Sequence, residues 1–302
     1  MHILITAGTG TIGRRLVQHL IQHGHLVTVV SRQPYKPASL PAMINFARWD
    51  GTSVEGWGHL VEEVDAIVNL AGAGIADARW SEERKKELFD SRVNAGKAIV
   101  EAVRAAENKP KVLIQASAVG YYGPQQDEII TEATGPANDF LAALCQQWEA
   151  SSQPVEDMGV RRVIIRSGVV LDMKGGALPR MVMPFRFFAG GPVGSGRQWF
   201  SWVHHHDEVN AIRFLIENDS ARGPVNLTAP NPLKNRDFAK ALGRVMKRPA
   251  LAPVPSVVLK ILFGEMSSTL LTGQRVVPER LQELGYEFKF PEAKMALEDV
   301  LA

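Results

Sequence analysis

The 302-residue chain has a single cysteine, Cys145, so no disulfide can form within it and its stability must come from packing. It lacks an excess of either charge: 34 Lys and Arg stand against 32 Asp and Glu, a formal net charge of +2. With the basic residues scattered along the sequence, that balance offers no electrostatic footprint for nucleic acid or an anionic membrane. Any apolar run near the roughly 18 residues of a bilayer span is missing too. The best stretch, 254–263, is broken by Pro255 and Lys260. The sequence has no internal repeat and no low-complexity tract. It opens on an apolar strand rather than on a basic segment with a cleavage site, so a cytoplasmic protein is expected. What it does have is 45% hydrophobic content, enough for one large core or two modest ones.

Ile3, Leu4 and Ile5 form a short continuous apolar run, the pattern of a strand buried on both faces. Glycines at 8, 10 and 13 follow, and Ile12, Leu16, Leu20 and Ile21 then recur at helical spacing. Gly24 ends that helix and 25–30 reads as a second strand, which completes a βαβ unit of about 30 residues. In this setting Gly8, Thr9, Gly10, Thr11, Ile12 and Gly13 predict a dinucleotide-binding turn. Glycine lets the backbone come close to a pyrophosphate, and the amides and positive end of the next helix meet its charge. The competing explanation is that the glycines merely allow close helix packing. A free ribose hydroxyl usually meets an Asp or Glu about 20 residues after the glycines. Here Ser31 and Arg32 stand there, and a charge-assisted bond to a 2'-phosphate favours NADP(H) over NAD. A solvated arginine at a strand end is the plainer alternative.

Three prolines make 33–41 a loop, and 43–47 reads as a third strand leading to Asp50, which either faces an adenine or closes a turn before Gly51. Residues 64–72 form a buried strand ending on Leu70, Ala71 and Gly72, where a cofactor can lie against main chain. A helix over 81–106 and a strand over 111–117 follow, and the latter runs into 118–123. This alternation predicts an α/β, Rossmann-type, doubly wound parallel sheet with ligands at the carboxyl ends of its strands, where Ser117, Tyr121 and Tyr122 fall. Residues 1–170 are expected to form the NADP-binding domain, with 162–171 as a strand and 223–229 completing the sheet. Residues 171–302 are expected to form a smaller, mainly helical substrate lobe. In that lobe, glycine-dense 190–196 beside Arg197 and Gln198 either holds an acidic or phosphorylated substrate or closes over the cofactor. In the run His204, His205, His206 and Asp207, at most two histidines could share a metal, because neighbours on an extended segment point to opposite faces. Structural hydrogen bonds from His204 and Asp207, and no metal, are expected.

The segments 6–13, 69–72 and 116–123 together resemble the extended short-chain dehydrogenase/reductase superfamily. Further motifs at 175–179, 190–204, 230–232 and 271–278 are similar to its atypical, nucleoside-diphosphate-sugar epimerase-like branch, so the resemblance spans nearly the whole chain. It implies a Rossmann domain, NADP(H) binding and a small C-terminal domain. Two departures stand out. The superfamily's TGxxGxxG puts its first glycine at Ala7, which can serve only with a negative φ, since a Cβ disfavours the left-handed region. Active members also pair Ser or Thr with a Tyr-x-x-x-Lys on the next helix, where 139–149 carries Leu141 and Cys145 instead.

No Tyr-x-x-x-Lys exists in the chain, because four residues after Tyr35, Tyr121, Tyr122 and Tyr286 stand Ser39, Gln125, Gln126 and Phe290. Only about one unassisted tyrosine in a thousand is ionised at neutral pH, so the usual alcohol oxidation is not expected. A protonated Tyr121 or Tyr122, with Ser117 orienting the carbonyl, can still serve a reduction; for both tyrosines the alternative is a packed turn. The expected function is an NADP(H)-binding reductase or epimerase-like protein for a small polar or sugar-nucleotide-like substrate. The alternatives are an NADP-binding regulator without turnover and an interaction protein that docks through its C-terminal lobe. A homodimer is left open.

Overall fold

Alternate residues of the first strand leave in opposite directions: Ile3 and Ile5 enter one core and Leu4 the other, and all three are fully buried. Burial of each such side chain stabilises by about 1.5–3 kcal/mol, so this strand anchors both layers at once. The computed structural model describes all 302 residues. Its principal strands are β1 (His2–Thr6), β2 (Leu26–Ser31), β3 (Asn45–Arg48), β4 (Ala66–Asn69), β5 (Val112–Ala118), β6 (Arg161–Ser167), β7 (Val169–Leu171), β8 (Trp202–His204) and β9 (Gly223–Leu227). Seven of them form one sheet in the order β3-β2-β1-β4-β5-β6-β9, with every pair parallel. The order reverses between β1 and β4, the switch point at which such sheets open a crevice at their carboxyl edge.

Helices α1 (Thr11–Gln22) and α5 (His205–Glu217) cover one face of the sheet, where Leu16, Val17 and Leu20 meet Ile212 and Leu215. On the other face α2 (Glu82–Ala105) brings Ala95, Ile99 and Val103 against Ile67 and Leu113, and α3 (Phe140–Ser151) packs beside it. Ser81 caps α2 by accepting from the Arg84 amide at 3.2 Å.

The expected single strand over 162–171 is two strands, because Gly168 breaks it. A Cβ at Gly168 would stand 2.8 Å from the Ser201 carbonyl oxygen, so only glycine lets the two backbones approach this closely. The chain then leaves the sheet, and β7 pairs with β8 in a separate parallel pair. This redirection begins the second lobe, formed by α4 (Leu178–Arg186), α6 (Asn235–Met246), α7 (Ser256–Phe263), α8 (Ala293–Leu301) and short pieces between them. Its core joins Leu178, Val182 and Phe185 to Phe238, Leu242 and Leu297. The Asp207 carboxylate ties the chain end to α5 by accepting the Lys289 and Phe290 amides, each at 2.9 Å. No helix is long and apolar enough to cross a membrane.

Candidate functional site

The glycine turn sits on the carboxyl end of β1 and is as tight as a backbone can be. A Cβ at Gly13 would stand 2.4 Å from the Ala7 carbonyl oxygen, and one at Gly8 would stand 2.8 Å from both Val29 methyls. The turn bends at Ala7, whose φ is +53° rather than the negative value expected of it. With Gly8 pressed on β2 and Gly13 against the turn itself, the reversal falls on the residue before them, at a strain of about 1–2 kcal/mol. Gly10, the N-cap of α1, contributes no side-chain cap, and the first turn of α1 holds no acid. Its leading N–H groups therefore face the crevice without a carboxylate of their own. The Arg15 guanidinium grips Asp172 with two bonds of 2.8 and 2.9 Å, which draws the following loop across this turn; a Cβ on Gly175 would stand 2.4 Å from the Thr11 hydroxyl.

At the end of β2 the Ser31 hydroxyl lies 3.2 Å from that of Thr9 and accepts from the Gln33 amide. Arg32 is exposed, with no carboxylate within salt-bridge distance and its stem over Gly51, where a Cβ would lie 3.4 Å from the Arg32 Cδ. Asp50 closes the turn over 50–53 by accepting from the Thr52 and Ser53 amides and the Ser53 hydroxyl at 2.7–2.8 Å. Those amide bonds hold its carboxyl down to about 2. Three of the roughly four acceptor positions of this carboxylate are thus taken by the turn, the role before Gly51 that competes with facing an adenine.

Beneath the crevice run two rows of buried polar side chains, set by strand register. Thr6, Asn69 and Gln115 are neighbours across β1, β4 and β5, linked by bonds of 2.7 and 2.9 Å. The same Thr6 and Asn69 oxygens accept the Leu70 and Ala71 amides, which fixes the approach to Gly72. Arg92 of α2 supports the next residue by donating to the Ala73 carbonyl; burial without a carboxylate partner pulls its guanidinium down to about 10.

Ser117, Arg166 and Asn226 form the second row, across β5, β6 and β9. Glu149 of α3 takes two bonds of 2.9 Å from Arg166 and one of 2.6 Å from the Ser117 hydroxyl. Arg166 also donates to the Tyr122 hydroxyl at 3.0 Å, which donates to Asn226 at 2.7 Å. Tyr122 is fully buried, and burial outweighs the nearby Arg166 charge, pushing its hydroxyl up to about 12. Ser117 and Tyr122 therefore have their protons committed inside the protein. Tyr121 differs: it is half-buried, its hydroxyl makes no hydrogen bond within the protein, and the Arg166 guanidinium lies 3.5 Å from its ring centre.

Leu141 and Cys145 stand on the α3 face that bears Glu149, two turns and one turn before it respectively, and burial, then the Glu149 charge, pushes the Cys145 thiol up to about 11. Sequence reasoning missed Glu149, Arg166 and Asn226. The available signal was Arg166, a charge that directly follows the apolar run 163–165 within the expected buried strand. His204 caps α5 by accepting the His206 amide at 3.1 Å, and its other ring nitrogen lies 3.1 Å from Asp299.

A sequence profile described as the NAD dependent epimerase/dehydratase family matches residues 3–227, and a second, described as a domain of unknown function (DUF1731), matches 254–300. The chain belongs to the NAD-dependent epimerase/dehydratase family. Among relatives in that family, epimerase family protein SAR0825 of Staphylococcus aureus is 40% identical over 99% of this chain and 98% of its own length. The chloroplastic SDR39U1 homolog of Arabidopsis thaliana is 41% identical over 100% of this chain and 87% of its own. The crystal structure of human epimerase family protein SDR39U1 (isoform 2), determined with NADPH, superposes with a TM-score of 0.91 at 36% identity, covering 99% of both chains. A nucleoside-diphosphate sugar epimerase from Corynebacterium glutamicum gives 0.80 at 30% identity, over 99% of this chain and 58% of its own. These likenesses identify the architecture as that of the atypical epimerase-like branch.

Proposed function

We propose that the protein binds NADP(H) along the carboxyl edge of its sheet and reduces the carbonyl of a small polar or sugar-nucleotide-like substrate, with Tyr121 as proton donor. The uncapped, acid-free start of α1 carries this proposal, together with a cradle that a side chain at Gly8 or Gly13 would fill. Free amides at a helix N-terminus suit a pyrophosphate. The NADPH in the human relative's crystal structure supports the same cofactor here. Gly8, Thr9, Gly10, Thr11, Ile12 and Gly13 hold the pyrophosphate, Ser31 and Arg32 the 2'-phosphate, and Leu70, Ala71 and Gly72 the nicotinamide half. Residues 1–170 with β9 form the cofactor domain, and 171–302 supply the substrate side.

Bound NADPH supplies the hydride. Tyr121, with the one tyrosine hydroxyl of this turn that is free to turn outward, gives its proton to the substrate oxygen. Arg166 holds the ring flat beneath it. Ser117 and Tyr122 act through Glu149 and Arg166 as positioning residues. One observation favours the rival, a cofactor-binding regulator without turnover: the superfamily's Tyr and Lys positions hold apolar Leu141 and a thiol that stays protonated at neutral pH.

Calorimetric titration combined with a carbonyl panel followed by NADPH absorbance tests both. Arg32→Ala is expected to weaken NADPH about tenfold to a hundredfold while changing NADH little, the worth of one charge-assisted bond. Tyr121→Phe is expected to bind NADPH normally and to lose about a hundredfold or more in turnover. Failure of NADPH to saturate the protein refutes both; saturation without consumption of any carbonyl leaves the regulator.

A further inference from the structure

Between Asp172 and Asp207 stand Lys174, Arg180, Arg186 and Arg197 and no acidic residue. Between Asp237 and Glu265 stand Lys240, Arg244, Lys247, Arg248 and Lys260, again with no acidic residue. A chain of net charge +2 thus concentrates nine cations in two stretches of its C-terminal half, and folding brings part of both together. Arg186, at the end of α4, and Arg248, just after α6, line one shallow cavity of about 560 Å³. Arg248 with Arg244 and Lys247 lines a second, of about 380 Å³. Two carboxylates share the first cavity, that of Glu298, 3.7 Å from Lys294, and the terminal one of Ala302, while Asp237 lies 3.8 Å from Lys240. Arg186, Arg244, Lys247 and Arg248 have no carboxylate within salt-bridge distance. The scattered basic residues expected from the sequence are a patch in three dimensions.

Large apolar side chains are exposed next to these cations: Phe188 meets Arg248, Leu251 lines the second cavity, and Phe187 directly precedes Phe188 in the chain. Phe187 is 74% exposed, Phe188 62% and Leu251 85%. Phe188 packs on Arg248, its ring centre 4.4 Å from the guanidinium carbon, and holds a φ of +59° that a side chain rarely adopts. A strained residue that presents an aromatic ring to water, beside four unpaired cations, is costly for a bare protein surface.

We propose that this face docks on a bilayer leaflet rich in acidic phospholipid, with Phe187, Phe188 and Leu251 entering the headgroup boundary and the four cations meeting phosphate. The proposal is independent of the cofactor and of Tyr121. Charge complementarity selects the occupant, since projecting aromatic and aliphatic groups among arginines and lysines match an anionic interface. A second copy of the chain fits poorly, because a two-fold contact would set this cationic patch against itself. A helical peptide needs a concave apolar groove, whereas the large apolar groups here protrude.

Co-sedimentation of the full chain with vesicles of phosphatidylcholine alone, or mixed with phosphatidylglycerol, tests this, with thermal unfolding as the check on folding. Binding is expected only with phosphatidylglycerol and is expected to weaken with salt; each cation near such a surface contributes about fivefold. The double reversal Arg244→Glu with Lys247→Glu is expected to cost about tenfold or more. Phe188→Gly also weakens binding, and because it relieves the left-handed strain it does so without unfolding the lobe. No partition into phosphatidylglycerol vesicles, equal partition into phosphatidylcholine, or full binding by the charge-reversed variant overturns the proposal. Displacement by polyglutamate, with Phe188→Gly binding as the parent does, reassigns the face to an acidic protein partner.

Discussion

Ala7 is the most informative single residue, because it carries the strain that lets its neighbours meet a ligand. An alanine at a φ of +53° costs about 1–2 kcal/mol relative to a permitted conformation, while glycine there loses about 0.5–1 kcal/mol in chain entropy. Ala7→Gly is therefore expected to raise the urea midpoint by an amount worth up to about 1 kcal/mol and to leave NADPH affinity unchanged. A drop in stability would mean that the Ala7 methyl, packed against the core beneath the sheet, matters more than the strain. The glycines of this turn were legible from spacing alone. The sign of φ at Ala7 was not, because it follows from Val29, which closes on Gly8 from the next strand. The tyrosines divide in the same way. Both stood out in the sequence at a strand end, but the partner that buries Tyr122 is Asn226, 104 residues further on.

The decisive element is β6, which carries Arg166 between β5 and β9 and so ties Ser117, Glu149, Tyr122 and Asn226 into one network. Burial disfavours the Arg166 charge, and the Glu149 carboxylate more than offsets it, so the guanidinium keeps its charge. Arg166→Met leaves Glu149 buried without its cation and is expected to cost about 3–5 kcal/mol in urea unfolding. The double variant Arg166→Met with Glu149→Gln is expected to cost clearly less than the two single losses combined, since neither then leaves a bare charge. Additive losses would show that the two residues act separately. Strand positions were readable here because buried parallel strands are continuous apolar runs. The network was not, since it is written in register between strands far apart in sequence. The break at Gly168 escaped for a related reason: the Ser201 backbone that demands it belongs to another segment.

At the scale of the whole molecule, two adjacent carboxyls on α5 shape stability in opposite directions. Asp207 is buried, which opposes its ionisation, but His206, the Lys289 and Phe290 amides and Tyr286 prevail and hold it below its ordinary value of 3.8. Its contribution, the clasp on the C-terminal segment, is present above that value and is lost as pH falls through the lower folded value. Glu208 is enclosed beside Ser167, whose 2.7 Å hydrogen bond does not offset burial, and its carboxyl is pushed up to about 8 from 4.5. Between those two values the folded chain keeps a proton that the unfolded chain has released, so Glu208 erodes stability as pH rises from 4.5 to about 8. Glu208→Gln keeps an oxygen for Ser167 and cannot ionise. Urea midpoints measured across that range are therefore expected to fall less steeply for Glu208→Gln than for the parent, with the two curves closest at the acidic end and furthest apart near the upper value. Parallel curves would place the Glu208 proton elsewhere. Asp207→Asn, in contrast, is expected to lower the midpoint most near neutral pH and to converge with the parent in acid, because both chains then lack the ionised clasp.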